Sequence, residues 1–407
     1  GSSAGRGRER RGWARTLRPV AFGTAGVHLG DMNTTLIPIL CALVAGVIVA
    51  VTTPLAGRLA RLVGAVDLPS GRRIHHTPTP RMGGLAIVLG FLVPVLYFLP
   101  ADRGTRALVC GAVLICCVGA IDDIYSLNPA LKLAGQIACA SVPVAAGVTI
   151  DHITLPVLGP LDLGAGEFPV SIIWFVAIVN MINFIDGMDG LAAGVSGIGA
   201  TTFAILAASL GRADSAIMAA ALAGACIGFL IHNFYPARIF MGDSGSLFLG
   251  FVMAGVAING VMKSAAALAV LAPLIILAIP ILDTSFVILK RLKNGMPVYS
   301  PDRSHFHHRF FNIGWSQRRT VLALYVWCTL MALVALALRF IPYRDADGQL
   351  LWVGTATIAL AATLALAAAV YLVYVLEILK WRHTPVVEIV RQNRLQRASD
   401  RGVAGPR

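Results

Sequence analysis

Long apolar stretches follow one another along most of this chain, and they restrict the folds open to it more than any other feature. A helix that crosses a bilayer needs about 20 mostly apolar residues. Eleven stretches approach this length, although the third and fifth need residues from their flanks. The stretches are 35–56, 83–100, 106–121, 129–149, 169–182, 190–210, 214–232, 244–261, 265–289, 319–338 and 351–376. We therefore predict an all-α integral membrane protein, a single bundle of about eleven transmembrane helices over residues 35–376.

The composition agrees with a surface that meets lipid. Hydrophobic residues make up 57% of the chain and charged residues 13%, whereas a soluble domain carries about 25% charged residues. The net charge of +13 would suggest nucleic acid in a soluble protein, but no motif here combines aromatic and basic residues. We expect anionic lipid headgroups and phosphorylated substrates as partners, and no nucleic acid.

The loops between the stretches differ in basic residues, and this difference predicts the orientation. One set of alternate loops carries fourteen lysines and arginines and the other six. Cytoplasmic loops carry the excess, so the first set, which includes 57–82 and 290–318, is predicted to be cytoplasmic. The N-terminus is then outside and the C-terminus inside. The six arginines near the N-terminus disagree with this assignment, but the loop bias is larger.

The segments outside the bundle are assigned from composition. We predict a basic N-terminal tail over 1–34 and a basic cytoplasmic C-terminal tail over 377–407. Segment 150–168 alternates apolar and polar residues around a Gly-Pro turn, which indicates a short hairpin on the outer side. All seven cysteines fall within apolar stretches, so they are interpreted as packing residues.

Four polar clusters interrupt the apolar pattern, all on the predicted cytoplasmic side. In the first, Asp122 and Asp123 end the third stretch, where a helix dipole disfavours carboxylates. They are either a solvated helix end or a site for a cation or for proton transfer.

The second cluster places Asn183, Asp186 and Asp189 three residues apart. On a helix they would form one slowly drifting ridge, and Gly187 and Gly190 would permit a break. Acidic groups at this depth are functional by default, and a polar helix cap is the alternative.

The third and fourth clusters favour phosphate chemistry. The third cluster spans 232–246, and its Gly242-Asp243-Ser244-Gly245 opens the eighth stretch, where Asp243 or Ser244 would cap the helix and the helix end would also suit phosphate. His305-Phe306-His307-His308-Arg309 lies in a long loop. Hard oxygen ligands nearby favour magnesium over zinc, so these histidines and Arg309 are interpreted as phosphate and sugar contacts; a solvated basic loop is the alternative.

Five carboxylates from the first three clusters are predicted to face one basin. Packed closely, they cannot all stay ionised without cations, and a divalent metal beside Arg, Lys and His side chains is the equipment of phosphoryl transfer. The five are Asp122, Asp123, Asp186, Asp189 and Asp243.

In their order and wording these motifs resemble the polyprenyl-phosphate N-acetylhexosamine-1-phosphate transferases, most closely the branch that uses N-acetylglucosamine and its actinobacterial members. The resemblance extends from Arg72 to Arg319. It rests on Pro80-Arg81-Met82-Gly83-Gly84, Asp122-Asp123, Asn183-Phe184-Ile185-Asp186-Gly187-Met188-Asp189-Gly190-Leu191, Phe240-Met241-Gly242-Asp243-Ser244-Gly245-Ser246 and His305-Phe306-His307-His308-Arg309.

The resemblance implies a magnesium-dependent reaction, with manganese as an alternative ion, in the cell membrane. A decaprenyl or undecaprenyl phosphate attacks the sugar-proximal phosphate of a UDP-N-acetylhexosamine, and UMP leaves. The product is a lipid-diphosphate-sugar, and the reaction is the first membrane step of cell-envelope glycan synthesis. The oligomeric state is left undecided, with a homodimer as one alternative.

The resemblance also implies the roles of individual residues. Asp122 matches the residue that deprotonates the lipid phosphate, supported by Asp123, and Lys132 matches a phosphate contact. Asp243 matches the metal-ligand position, and Asn183, Asp186 and Asp189 match the nucleotide and metal side of the pocket. Of these three, Asn183 and Asp186 are counted among both the metal ligands and the substrate contacts. The loop of His305, His307, His308 and Arg309 holds the pyrophosphate and sugar, with His307 counted among the catalytic residues.

The interrupted histidine run favours UDP-N-acetylglucosamine as the donor. The rival donor is UDP-N-acetylmuramoyl-pentapeptide, whose branch has consecutive histidines in the matching loop. A secondary transporter is a more distant alternative, because transporters place ionisable groups near the midplane, whereas these clusters lie at the ends of stretches.

Overall fold

The computed structural model is almost entirely helical. It describes residues 29–67, 78–99, 102–155, 159–262, 268–293, 315–342 and 351–375. The helices are α1 (Leu29–Leu62), α2 (Gly84–Phe98), α3 (Arg103–Tyr125), α4 (Pro129–Ala145), α5 (Glu167–Ile185), α6 (Leu191–Ser209), α7 (Ala213–Asn233), α8 (Gly242–Val256), α9 (Leu268–Ile276), α10 (Ala278–Lys293), α11 (Gln317–Phe340) and α12 (Trp352–Val375). A 3₁₀ turn, Gly164–Gly166, precedes α5, and a π-helical segment, Ala257–Met262, extends α8.

Every predicted stretch contains a helix, but the number of membrane crossings is a separate matter. Within the described ranges, seven helical segments are long and apolar enough to cross a bilayer, so the count of eleven is not confirmed. The two short stretches do extend into their flanks, as α3 and α5. The ninth stretch divides into α9 and α10 around Leu277. The first helix begins at Leu29, inside the segment assigned to the tail.

Two short antiparallel hairpins accompany the helices. Strand β1 (Val66–Asp67) pairs with β2 (Thr79–Pro80), next to the end of α1. Strand β3 (His152–Leu155) pairs with β4 (Gly159–Asp162), with His152 opposite Asp162. This second pair confirms the hairpin expected over 150–168.

Helix α8 is the centre of the bundle. In the segment Gly242–Met262, 94% of the most apolar window is buried inside the protein, against 28% for Leu36–Leu62 in α1. Helices α2, α3 and α5 pack directly on α8, and α1 lies further out against α2 and α7. Phe248 and Phe251 of α8 contact Phe91 of α2 and Phe175 of α5. The first turn of α8 is therefore held in the middle of one end of the bundle.

Candidate active site

The first three polar clusters meet at that end of the bundle. Asp122 lies in the last turn of α3, Lys132 in the first turn of α4, Asn183 in the last turn of α5 and Asp243 in the first turn of α8. We refer to these four side chains as the Lys132 cluster. The sequence predicted one basin for five carboxylates, and of these the structure brings Asp122 and Asp243 to the same ammonium.

Lys132 joins two carboxylates from different helices. Its Nζ lies 2.8 Å from Oδ2 of Asp122 and 2.7 Å from Oδ2 of Asp243. The Asp243 side chain keeps 29% of its surface exposed, so it is reachable from outside the bundle. Carboxylates this close repel each other, and the shared ammonium stabilises their ionised forms. Lys132 was predicted to contact phosphate. A phosphate bound there would share the ammonium group with these two carboxylates.

Asn183 holds the other oxygen of Asp243. Its Nδ2 donates to Oδ1 of Asp243 at 2.6 Å and to Oγ of Ser246 at 2.8 Å, and Ser246 in turn donates to the carbonyl of Gly242 at 3.1 Å. Both carboxylate oxygens of Asp243 are therefore oriented by neighbours. Ser246 was part of a recognised motif, but nothing in the sequence predicted that it supports Asn183.

Asp123 differs from its neighbour Asp122, because both of its oxygens bond backbone N–H groups, whereas Asp122 bonds one N–H group and Lys132. Its carboxylate accepts hydrogen bonds from the backbone N–H groups of Asp243 at 2.8 Å and Ser244 at 3.0 Å. It therefore caps the N-terminus of α8 from another helix. The expected cap by Asp243 or Ser244 themselves is wrong: the residue before the helix has no side-chain cap bond, and Asp123 satisfies the free donors.

This cap also decides how α8 can bind an anion. The same two N–H groups were expected to suit a phosphate, and in this structure a carboxylate of the chain occupies them. The helix dipole that would attract phosphate instead offsets the unfavourable position of Asp123 at the end of α3. These two N–H groups are therefore not open to a phosphate in this structure.

The close approach of α3 to α8 depends on two glycines. Gly242 has φ +73°, and a Cβ there would lie 2.5 Å from Oδ2 of Asp123. At Gly119, one turn before Asp123, a Cβ would lie 2.4 Å from the carbonyl oxygen of Asp243. A side chain at either position would push α3 away from α8 and separate the two aspartates.

The segment Pro80-Arg81-Met82-Gly83-Gly84 bonds the backbone that leads into α8. Phe240 N–H donates to the carbonyl of Pro80 at 2.9 Å, and the N–H groups of Gly83 and Gly84 donate to the carbonyls of Phe240 and Met241 at 3.0 and 2.9 Å. The motif thus fixes the backbone just before Asp243. The sequence indicated its importance through the resemblance alone, and its role as a backbone support is visible only in the structure.

Asp186 follows the last residue of α5. Burial raises the pKa of Asp186 well above its ordinary range, the charges of Asp243 and Asp123 raise it further, and Arg81 opposes the rise. Like-charged neighbours of this kind disfavour ionisation unless a cation joins them. Asp186 therefore lies near enough to Asp243 and Asp123 for their charges to disfavour its ionisation.

Asp189 lies in the turn after α5, and it does not continue a helical ridge from Asn183. Because α5 ends at Ile185, the break permitted by the glycines is the correct alternative. Its Oδ2 accepts a hydrogen bond from Ala237 N–H at 2.9 Å, which joins the turn to the segment before α8. The predicted contact of Asp189 with substrate stays a prediction beside this structural role.

Two residues outside the predicted site hold Gly190. Asn233, buried at the end of α7, accepts from Gly190 N–H at 3.0 Å and donates to the carbonyl of Ile239 at 3.0 Å. The Tyr325 hydroxyl of α11 donates to the Gly190 carbonyl at 2.5 Å. We refer to Asp189, Asn233 and Tyr325 as the Gly190 clamp. Tyr325 lies far from any motif, so no sequence signal pointed to it.

The residues that the structure describes limit which side chains could hold a metal ion. Among them, no group of three or more His, Cys, Asp and Glu side chains is arranged to hold a metal ion. Magnesium, however, is usually held by one or two carboxylates together with substrate phosphates. The oxygen donors of Asp243, Asp186 and Asn183 suit that ion. His305, His307, His308 and Arg309 lie outside the described residues.

Comparison with known proteins adds the family. Residues 105–261 match the family described as glycosyl transferase family 4. The chain is 38% identical to a probable undecaprenyl-phosphate N-acetylglucosaminyl 1-phosphate transferase of Bacillus subtilis over 293 residues. The aligned region covers 72% of this chain and 82% of the relative.

Two further relatives extend the comparison. The decaprenyl-phosphate N-acetylglucosaminephosphotransferase of Mycobacterium tuberculosis is 36% identical over 87% of this chain and 93% of its own. A phospho-N-acetylmuramoyl-pentapeptide-transferase of Moorella thermoacetica is 33% identical over 70% of this chain and 93% of its own. These matches exclude the transporter alternative: the chain belongs to glycosyl transferase family 4 and is a membrane enzyme, a phosphoglycosyl transferase.

Proposed function

We propose that this enzyme transfers N-acetylglucosamine-1-phosphate from UDP-N-acetylglucosamine to a membrane polyprenyl phosphate, decaprenyl or undecaprenyl phosphate. An oxygen of the lipid phosphate forms a bond to the sugar-proximal phosphorus, and the bond from that phosphorus to the oxygen of the other phosphate breaks. The products are polyprenyl-diphosphate-N-acetylglucosamine and UMP, in a first membrane step of cell-envelope glycan synthesis.

The arrangement of Lys132 between Asp122 and Asp243 is the observation that supports this chemistry most directly. One ammonium and two carboxylates of separate helices lie within 2.8 Å contacts at an accessible end of the bundle. The two relatives at 36% and 38% identity are both named for N-acetylglucosamine transfer to a polyprenyl phosphate. The relative at 33% identity is named for transfer of phospho-N-acetylmuramoyl-pentapeptide, so UDP-N-acetylmuramoyl-pentapeptide is the alternative donor to test.

The residues divide the work of the reaction. Asp122, held in place by Leu127 N–H at 2.6 Å, accepts the proton of the lipid phosphate. Lys132 shifts its donors from the carboxylates to the phosphate oxygens, where its charge stabilises the transition state. Magnesium, or manganese in its place, held by Asp243, Asp186 and Asn183, would neutralise charge on the diphosphate.

The loop residues set the donor. His305, His307, His308 and Arg309 contact the diphosphate and sugar through charge-assisted hydrogen bonds. We place this loop and the Lys132 cluster on the cytoplasmic side, on the strength of the fourteen-to-six bias in lysines and arginines. A pocket closed on a small sugar excludes a lactyl-peptide by steric clash.

Competing turnover on the two donors tests the proposal. Purified enzyme, polyprenyl phosphate and magnesium are incubated with UDP-N-acetylglucosamine or UDP-N-acetylmuramoyl-pentapeptide, and UMP release is measured with and without a chelator. We expect release from the first donor only, and none in excess chelator. Comparable or faster use of the pentapeptide donor would overturn the donor assignment, and full activity in chelator would overturn the role of magnesium.

A further inference from the structure

An amide pair lies one helical turn behind the Lys132 cluster. Gln136 of α4 and Asn180 of α5 exchange two hydrogen bonds: Asn180 Nδ2 donates to Gln136 Oε1 at 2.6 Å, and Gln136 Nε2 donates to Asn180 Oδ1 at 3.3 Å. Gln136 is 2% exposed, and Asn180 also donates to the carbonyl of Val176 at 2.8 Å. Nothing in the sequence marked Gln136.

The pair connects the two helices that carry Asp243's side-chain partners. Gln136 follows Lys132 by four residues on α4, and Asn180 precedes Asn183 by three on α5, so each amide shares a helix face with one partner. Lys132 lies 2.7 Å from Oδ2 of Asp243 and Asn183 lies 2.6 Å from Oδ1. The amide pair and Asp243 therefore link α4 to α5 at two levels, one turn apart.

A reciprocal amide pair is directional in a way that apolar packing is not. Two bonds between planar groups fix how far one helix slides along the other, whereas apolar side chains tolerate sliding. Helices in a bilayer gain no hydrophobic energy from meeting each other, so such bonds contribute a larger share of the specificity of packing. A pair of this kind is suited to holding α4 against α5 in the layer next to Lys132 and Asn183.

We propose that Gln136 and Asn180 are positioning residues for the transferase reaction. Their exchange of hydrogen bonds holds α4 and α5 in the register at which Lys132 and Asn183 grip the two oxygens of Asp243. The proposal rests on the proposed function insofar as the Lys132 cluster is the reacting site. It adds that catalytic geometry is set from a buried layer that itself touches no substrate.

A double-mutant cycle with near-isosteric apolar replacements tests the proposal. Gln136→Met and Asn180→Leu each leave one amide without its partner, and the double variant leaves none. If the pair sets register, all three variants lose kcat by about tenfold or more, since small misplacements near a reacting centre are costly. The double variant is no slower than the slower single variant, because the pair acts as a unit. KM values stay within about threefold, because neither residue contacts a substrate.

The purely structural alternative gives a different result. If the bonds only satisfy the buried amide of Gln136 and the half-buried amide of Asn180, the double apolar variant restores wild-type kcat, because no polar group is left unpaired. A double variant within about threefold of wild type, or losses that simply multiply, would overturn the proposal. Thr202→Val is the matched control: Thr202 is 3% exposed and its hydroxyl bonds the carbonyl of Ile198 in its own helix.

A second variant covers the case in which the apolar forms do not fold. The exchange Gln136→Asn with Asn180→Gln keeps both amides and the combined length, so it is expected to recover kcat to within about fivefold of wild type. A folded exchange variant that loses kcat by about tenfold or more would contradict the proposal. UMP release is measured with whichever UDP-sugar the wild-type enzyme turns over, so a wrong donor assignment fails separately from this inference.

Discussion

Two polar regions at the same end of the bundle differ in what their side chains bond. In the Lys132 cluster, the contacts between helices join side chain to side chain: Lys132 holds Asp122 and Asp243, and Asn183 holds Asp243. In the Gly190 clamp, side chains bond backbone: Asn233 and Tyr325 hold the N–H and carbonyl of one glycine. Both regions draw on the same recognised motif around Asp186.

The difference separates groups that can change partners from groups that cannot. A side chain can leave another side chain for a substrate phosphate without disturbing the chain path. A side chain that satisfies a buried backbone group is bound to its task, because the backbone group has no other partner to turn to. The adjacent aspartates differ in this respect: Asp122 accepts the N–H of Leu127 with one oxygen and keeps the other for Lys132, whereas both oxygens of Asp123 are bound to backbone N–H groups of α8.

Among the substitutions in the two regions, Asp243→Asn should reduce turnover most. Asp243 is the point on which Lys132, Asn183 and the proposed metal converge, so we expect turnover to fall on the order of a thousandfold or more, several kcal/mol of transition-state stabilisation. The protein should still insert and fold, since the helix cap comes from Asp123. UMP release per folded enzyme measures the loss, and near-normal turnover would remove Asp243 from the reaction.

Lys132→Met tests the exchangeable contact. The replacement removes the cation between Asp122 and Asp243 and one donor to phosphate, so we expect kcat to fall by about a hundredfold. Lys132→Arg keeps the charge, but its fork geometry does not reproduce a point charge between two carboxylates, so recovery should be partial. Wild-type kcat in the methionine variant would show that the bridge has no catalytic role.

Asp123→Asn sharpens the division between the two aspartates. An amide retains one oxygen for two N–H groups, so we expect a loss of about 1–2 kcal/mol in stability and about tenfold in kcat, as α8 loosens. Asp102→Asn is the matched control, because Asp102 accepts from the N–H groups of Gly104 and Thr105 at the far end of α3. Melting temperatures in detergent should fall for Asp123→Asn and change little for Asp102→Asn, because one amide oxygen can still accept both bonds that Asp102 accepts at Oδ2. UMP release should slow only for Asp123→Asn. A thousandfold loss of turnover would place Asp123 in the chemistry itself.

Tyr325→Phe should have the smallest effect. The change removes one neutral hydrogen bond to the Gly190 carbonyl, so we expect about 0.5–1.5 kcal/mol less stability and a kcat within about threefold of wild type. Tyr97→Phe, at a residue that is 81% exposed, is the control and should change neither quantity. A loss of turnover above tenfold would mean that the Gly190 clamp participates directly in catalysis.

The sequence by itself determined the class of fold and the motifs. Apolar stretches near the length of a bilayer leave helices as the means of crossing, because backbone groups in lipid must bond within their own segment. The same stretches leave polar residues only at their ends, so the placement of Asp122, Asn183 and Asp243 near one face followed from counting. Local physics of this kind needs no knowledge of which helix packs on which.

Only the tertiary structure decided which polar residue does what. Asp122 and Asp123 are equivalent in sequence, but they are about 100° apart around α3, so one meets Lys132 and the other meets the start of α8. Likewise Gln136, Asn233 and Tyr325 acquire their partners from other helices at separations of 44, 43 and 135 residues. Contacts of this range depend on the packing of whole helices, which periodicity along one helix does not contain.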